Sequence, residues 1–463
     1  MHIQDFKNIF FIGIAGTGMS AIAQYLAGTS VKVSGSDRYF RPDVINDTRI
    51  KLELAGIQCY LQDGSGITGA TDLVVASTAV EDTVPEIIKA RSLQIPIMKR
   101  SEVLALIAES KKTIAIGGTS GKSTTSAMLF DILTTAGLSP SIISGAGLIS
   151  IIKTGRIGNA MNGKGEWLII EADESDGSII QYKPEIGIVL NIDKDHQEIN
   201  ELISIFSTFS HNTKENFIVN HANIISRHLS RGSMYDFSGN PEDNCSYVPE
   251  DFQQNGMSIQ FSVQHVPFFI KTVGRHNMEN ALAAIAAAAA VGVSLETSAE
   301  ALKNYEGIYR RHQVIGQHSN IVLIDDYAHN PVKCAASIKA CQPISPKVIA
   351  WFQPHGYTPT RFLKDDFIKE ISEALRDEDE IWMSEIFYAG GTTQKNISAN
   401  DLIQGIKANG KKAFFVEDRK DFFNTVKVHL TGHIVLLLMG ARDPGLEGFA
   451  SEVWNNLQQL PVP

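Results

Sequence analysis

The sequence is poor in cysteine, in net positive charge and in long apolar runs. Four cysteines occur in 463 residues, Cys59, Cys245, Cys334 and Cys341. No two stand two residues apart, which removes the spacing that zinc and dithiol redox motifs need. So long a chain has no need of a disulfide framework, and a reducing compartment fits it. Acidic residues outnumber basic ones, 51 to 41, for a formal net charge of −10. That argues against broad coating of nucleic acid or adhesion to anionic membrane, but leaves room for a local basic pocket. The most apolar stretch, residues 281–291 and mostly alanine, is shorter than the ~20 residues a bilayer span needs and reads as a buried helix. The opening MHIQDFKNIFFIGIAGTGMS has no basic leader followed by an apolar run and a cleavage site. These absences predict a cytoplasmic protein with no membrane insertion and no nucleic-acid partner.

What is present is ordinary globular composition, 43% apolar and 20% charged, with length for about two to four domains. Three regions each open on an apolar strand. The first carries strand signals at 9–12, 31–34, 58–61, 73–76 and 95–98, with helical stretches between. The second has strands at 113–116, 167–171 and 186–191, and helices at 124–136 and 277–291. The third has strands at 321–325, 347–352, 380–383 and 434–438, with helices at 331–340, 362–375 and 399–408. Strands alternating with helices predict parallel sheets, so the fold class is α/β. Residues 226–264 read as a β-rich excursion within the middle region. The expected domains are 1–108, 109–310 and 311–463.

Two glycine-rich loops stand between a strand and a helix. The first is Gly13-Ile14-Ala15-Gly16-Thr17-Gly18, followed by Met19 and Ser20. Glycines let backbone approach a pyrophosphate, and free amides at a helix start attract its charge. Asp37 stands 19 residues after Gly18, at the end of a second strand, where a ribose-binding carboxylate often sits. A tight turn without ligand is the alternative. The Gly-x-x-Gly-x-Gly spacing is not that of dinucleotide enzymes, which weakens a hydride-transfer reading. The second loop, Gly117-Gly118-Thr119-Ser120-Gly121-Lys122-Ser123-Thr124, is a phosphate loop one residue short of the usual form. Its amides would cradle phosphates, Lys122 would reach the terminal ones, and the Ser123 hydroxyl would ligate Mg²⁺.

Two acidic motifs follow apolar strands, Glu171-Ala172-Asp173-Glu174-Ser175-Asp176 and Asn191-Ile192-Asp193-Lys194-Asp195-His196. At the carboxyl edge of a parallel sheet such groups suit Mg²⁺ bridging ATP phosphates. A solvated charged face is the alternative.

Together these motifs resemble the Mur ligases of peptidoglycan synthesis, most of all the branch that joins L-alanine to UDP-N-acetylmuramate. The resemblance runs through GIAGTGMSAIA at 13–23, SGSD at 34–37, STAV at 77–80, GGTSGKSTT at 117–125, EADESD at 171–176 and NIDKDH at 191–196. It continues through GRHNMENALAA at 274–284, RRH at 310–312, DDYAHNP at 325–331 and FQPHGYTPTR at 352–361. It implies a Rossmann-like UDP-binding domain, a central phosphate-loop ATPase domain and a C-terminal Rossmann-like domain. It also implies a reaction in which ATP phosphorylates the muramoyl carboxylate and an amino acid's amine displaces the phosphate.

Carried over by position, the resemblance implies catalytic roles for Lys122, Glu171, His196 and Arg311. Ser123, Glu171 and His196 would hold one or two Mg²⁺ ions. ATP would meet Gly118, Thr119, Ser120, Gly121, Lys122, Ser123 and Thr124 of the loop, with His276 and Asn280 by the adenine, Arg311 by the phosphates and Asp326 by the ribose. The UDP-sugar would meet Gly13, Ala15, Gly16, Thr17, Gly18, Met19 and Ser20, with Asp37 and Ser77 nearby. Tyr327, His329, His355 and Arg361 fall on the acceptor side. The expected state is a monomer or homodimer.

The departures are local. Ser120 stands for the family's histidine and Ser123 for its threonine. Gly356 and Pro359 stand where the family has arginines facing the incoming amino acid, and residues 384–392, SEIFYAGGT, depart from the family's acid-bearing version. A paralogue with another amino acid, peptide or UDP-sugar acid, and a non-catalytic sensor of wall precursors, are the alternatives.

Overall fold

The computed structural model describes residues 2–77, 80–193, 198–388 and 394–460. The chain divides into two compact units. One comprises Met1–Phe252, Gln260–Ile270 and His276–Tyr309, the other Gln253–Ile259, Lys271–Arg275 and Arg310–Pro463.

The first unit holds two sheets. One has five strands in the order Gln58–Tyr60, Lys32–Ser36, Asn8–Ile12, Leu73–Ala76, Ile97–Lys99, parallel throughout. Asn8–Ile12 reads NIFFI, and its last four residues are buried, as a central strand covered on both faces requires. Strand order reverses beside it, which places a ligand crevice at its carboxyl end. The other sheet has six strands in the order Asn216–Val219, Ile186–Val189, Lys112–Gly117, Trp167–Glu171, Ser141–Ile143, Ala160–Met161. Only the Ala160–Met161 edge runs antiparallel. Lys112–Gly117 is therefore flanked by the strands that lead into both acidic motifs. The alanine-rich stretch forms most of the helix Arg275–Ala290, with Ala281 to Ala288 buried.

The sheet of the second unit runs Gln313–His318, Ile321–Asp326, Ile434–Gly440, Lys347–Gln353, Glu380–Met383, Lys412–Phe415. It is parallel except for its first pair. Trp351 and Trp382, both buried, anchor one face with Phe422 and Phe449. The helix Pro331–Cys341 starts where Asn330 accepts the Lys333 N–H and proline takes the first position, a strong start signal.

Two expectations shift. The single helix expected over 362–375 is two, Tyr357–Phe362 and Lys364–Ala374, broken at Leu363, whose φ of −99° and ψ of 13° lie off the helix. Leu363 turns toward the core, and Asp365 and Asp366 supply the charge that a fresh helix start favours. The β-rich excursion begins later than expected. Its strands are Glu250–Asn255, Ser258–Val263 and Val266–Ile270, in that order in a three-stranded sheet.

Candidate active site

The first glycine loop leaves the strand Asn8–Ile12 at the switch in strand order. Gly13 has φ +76°, a conformation costly for any residue with a Cβ, and the turn lets the Gly13 and Ile14 amides both donate to the Ser36 carbonyl, at 2.8 and 3.0 Å. Asp37 is buried against this loop. One carboxylate oxygen accepts the Ala15 N–H at 2.9 Å and the other the Tyr39 N–H at 3.0 Å. The acid expected at a ribose therefore braces the loop's backbone. Replacing Asp37 by alanine strands both donors, and denaturant unfolding should show a loss of about 1–3 kcal/mol. An unchanged midpoint would remove the bracing role.

Gly16 opens the helix Thr17–Ala27, whose start no side chain caps. Met19 and Ser20 are buried in its first turn, and Ser77 follows the neighbouring strand Leu73–Ala76. A Cβ on Gly18 would lie 3.0 Å from the Arg100 guanidinium, and Arg100 also reaches Asp176 at 3.4 Å. Sequence reasoning missed Asn159. It is buried, donates to the Thr17 carbonyl at 2.8 Å and to Ser20 Oγ at 2.9 Å, and accepts from Gln24 at 2.8 Å. Two hydrogen bonds at the start of the glycine-loop helix and one further along it thus tie that helix to the second sheet's edge.

The phosphate loop follows Lys112–Gly117. Gly118 and Gly121 take φ +134° and +89°. A Cβ on Gly121 would come within 2.3 Å of Asn280 Oδ1, so Asn280 abuts this loop, and it also accepts from Thr125 at 3.4 Å. His276 is exposed in the first turn of the helix Arg275–Ala290. Asn191 ties the loop from the next strand. Its Oδ1 accepts from Thr119 Oγ1 and the Ser120 N–H, each at 2.8 Å, and its amide donates to the Ser120 carbonyl.

Lys122 and Ser123 open the helix Lys122–Thr135, with Thr124 next. Lys122 Nζ donates to the Gly118 carbonyl at 2.6 Å and to Glu174 Oε2 at 2.7 Å. Ser123 Oγ donates to Glu171 Oε2 at 3.0 Å, while Glu171 Oε1 accepts from Ser144 Oγ at 2.6 Å and the Gly145 N–H at 2.7 Å. Ser144 was not legible in the sequence. It directly follows a short strand, Ser141–Ile143, that carries no motif, and only the fold aims it at Glu171. Burial pushes the Glu174 carboxyl up despite the Lys122 ammonium. Burial also acts upward on Asp173, but Lys122, the Ser175 hydrogen bonds and Arg100 together hold it below the usual range. His196 lies outside the described residues. Among these, no three His, Cys, Asp or Glu side chains form a metal-holding group. Ser123 Oγ and Glu171 Oε2 are nonetheless adjacent hard oxygens, the donor type Mg²⁺ takes, and Mg²⁺ typically completes its shell with phosphate and water.

In the second unit the structure gathers Arg311, Asp326, Tyr327, His329 and His355. Arg310 and His312 take positive φ, +55° and +45°. Arg310 is buried and donates to Asp325 at 2.8 Å and to the Gly440 carbonyl at 3.0 Å. Between them, the Arg311 guanidinium lies 4.9 Å from the Tyr327 ring centroid. Asp326 accepts from the His312 and Tyr327 amides and from Ser337 Oγ. Burial acts upward on its carboxyl, but His312, Arg311 and Ser337 outweigh it and keep the group low. The His329 ring lies 5.6 Å from both the Tyr327 and the His355 rings, and burial pushes its pKa down to about 4, so it is neutral at pH 7. Arg361 is exposed on its short helix and bonds to Asn396.

A glycine loop with its lysine and hydroxyl beside carboxylates, at the carboxyl edge of a parallel sheet, defines a phosphate-loop protein of the α/β class. Comparison with known proteins narrows that class. Three family models match in series: Mur ligase family, catalytic domain, at residues 8–112; Mur ligase middle domain at 116–288; and Mur ligase, glutamate ligase domain at 310–442. The UDP-N-acetylmuramate–L-alanine ligase of Pelotomaculum thermopropionicum is 34% identical over 94% of this chain and 95% of its own. That of Neisseria gonorrhoeae is likewise 34% identical over 94% and 95%. The solved UDP-N-acetylmuramate–alanine ligase of Thermotoga maritima aligns over 98% of this chain and 99% of its own, with TM-score 0.78 and 26% identity. The chain belongs to the Mur ligase family, and it is an ATP-dependent ligase with that family's three domains. No helix among the described residues is long and apolar enough to cross a membrane.

Proposed function

We propose that this chain joins the carboxylate of UDP-N-acetylmuramate to the amine of an amino acid, L-alanine first, at the expense of ATP, in cytoplasmic peptidoglycan precursor synthesis. The observation that carries the reading is the pairing of Ser123 and Glu171 beside Lys122 on the phosphate loop, in a chain that aligns end to end with ligases of that name. The working segments are 1–108 for the UDP-sugar, 109–310 for ATP and 311–463 for the amino acid, in a monomer or homodimer.

A carboxylate is a poor electrophile. Transfer of the ATP γ-phosphoryl group to one of its oxygens releases ADP and gives an acyl phosphate. The amine then attacks the carbonyl carbon, and the tetrahedral adduct expels phosphate and loses a proton to give the amide. Lys122 offsets negative charge on the phosphoryl group in transit. Ser123 and Glu171 hold Mg²⁺, with His196 assigned to the same task. When bound, the ion offsets charge on the phosphate oxygens. Loop residues 13–20 hold the UDP pyrophosphate through backbone amides, with Asp37 and Ser77 nearby. His276 and Asn280 serve the adenine, Arg311 the phosphates and Asp326 the ribose, and Tyr327, His329, His355 and Arg361 face the acceptor.

The absence of arginine at Gly356 and Pro359 favours a second reading, a related ligase for a different amino acid. Phosphate release from ATP with UDP-N-acetylmuramate, screened against the twenty amino acids singly, separates the two. Release with L-alanine is expected. Release with another amino acid alone selects the second reading, and no release with any overturns the function.

A further inference from the structure

We propose that Arg442 is the clamp for the acceptor's carboxylate, replacing the cations missing at Gly356 and Pro359; this rests on the reading of the acceptor as an amino acid. A carboxylate taken out of water needs a cationic partner, and a guanidinium offers two parallel donors to it. The only basic residue on the helix Tyr357–Phe362 is Arg361, which is bound to Asn396.

The strand beside it offers another. Lys347–Gln353 and Ile434–Gly440 are parallel neighbours in register from Lys347 to Gln353, with Gln353 opposite Gly440. The loop that carries His355 and Gly356 and the loop that carries Arg442 therefore leave adjacent strand ends, at the sheet edge where ligands of such folds bind. Arg442 is exposed with φ +64°. A residue with a Cβ holds that conformation only when its surroundings enforce it, and such strain gathers at functional sites. Here both neighbours are fixed. Ala441 is buried, and the Asp443 N–H donates to its carbonyl at 2.8 Å. Asp443 is buried too, with its carboxylate engaged by Arg419 and by the Gly445 N–H at 2.8 Å. Arg419 is held in turn by Gln353 Oε1 at 2.9 Å. The anion next to Arg442 in sequence is thus spent on Arg419, and the charge of Arg442 stays available at the edge.

The test uses the full chain with UDP-N-acetylmuramate and ATP, and compares L-alanine with L-alaninamide, which lacks the carboxylate. Glycine accepts φ +64°, so Arg442→Gly should keep the fold, with Tm unchanged or raised by about 1–3 °C. Its KM for L-alanine should rise about 30-fold or more, with the KM for UDP-N-acetylmuramate and for ATP within about twofold. The wild-type preference for L-alanine over L-alaninamide should collapse toward one, and Arg442→Lys should restore part of it. A preference intact in Arg442→Gly, or lost in Arg361→Ala instead, overturns the proposal while leaving the function standing. Wild type that ligates both acceptors equally well also overturns it alone. Wild type that ligates no amino acid overturns both.

Discussion

Replacing Lys122 by alanine should lower kcat about a thousandfold or more while leaving the fold in place. Lys122 stands at the first position of a fourteen-residue helix whose other contacts it does not carry. Its ammonium bridges the Gly118 carbonyl and Glu174. On the proposed function the same ammonium serves the phosphate oxygens of ATP, in place of Glu174. Alanine removes the one cation on the loop. It also leaves Glu174 buried without its ammonium, and that carboxyl, already raised by burial, then takes up a proton more readily. Phosphate release and circular dichroism on the variant decide the matter. Activity near wild type would mean the loop does not hold the transferring phosphate.

Glu171→Gln should lower kcat/KM by about a hundredfold or more and raise the Mg²⁺ concentration for half-activation at least about tenfold. The amide keeps the size of the side chain and can still accept from Ser144 and Gly145, which hold Oε1 at 2.6 and 2.7 Å. What it loses is the negative charge on the oxygen 3.0 Å from Ser123. The two hydrogen bonds on Oε1 leave Oε2 as the oxygen turned to the phosphate loop. A structural role alone would leave the Mg²⁺ titration unmoved, so Mn²⁺ binding to the ATP complex, followed by electron paramagnetic resonance, gives a readout independent of turnover. Unchanged ion affinity would overturn the assignment.

Much of this arrangement was legible in the sequence, for local reasons. A run such as NIFFI or LVVA announces a buried strand, and a glycine loop followed by a helix announces a phosphate turn. All five strands of the first sheet fall within about two residues of where periodicity put them. The strands that went unseen are short or at edges. Ser141–Ile143, Ala160–Met161, Asn216–Val219 and Lys412–Phe415 carry two to four residues each, too few to show a period, and Gln313–His318 is an edge strand. Side-chain partnerships were harder still. Asp37 was visible as an acid at a strand end, but nothing local says that its oxygens go to Ala15 and Tyr39. Ser144 and Asn159 belong to no motif, and only tertiary contact brings them to Glu171 and to Ser20. Arg442 is one residue among many until its φ of +64° is known. Sequence shows which chemistry is available, while the fold decides which oxygen meets which nitrogen.

On the proposed function, ATP activates the muramoyl carboxylate itself. UDP-N-acetylmuramate labelled with ¹⁸O in both carboxylate oxygens, incubated with ATP, Mg²⁺ and L-alanine, tests it by mass spectrometry of the released phosphate. An acyl phosphate hands one carboxylate oxygen to the leaving group, so each phosphate formed with product should carry one ¹⁸O and each amide should keep one. Unlabelled phosphate accompanying the amide would overturn that activation, because the carboxylate oxygen would then never have been phosphorylated.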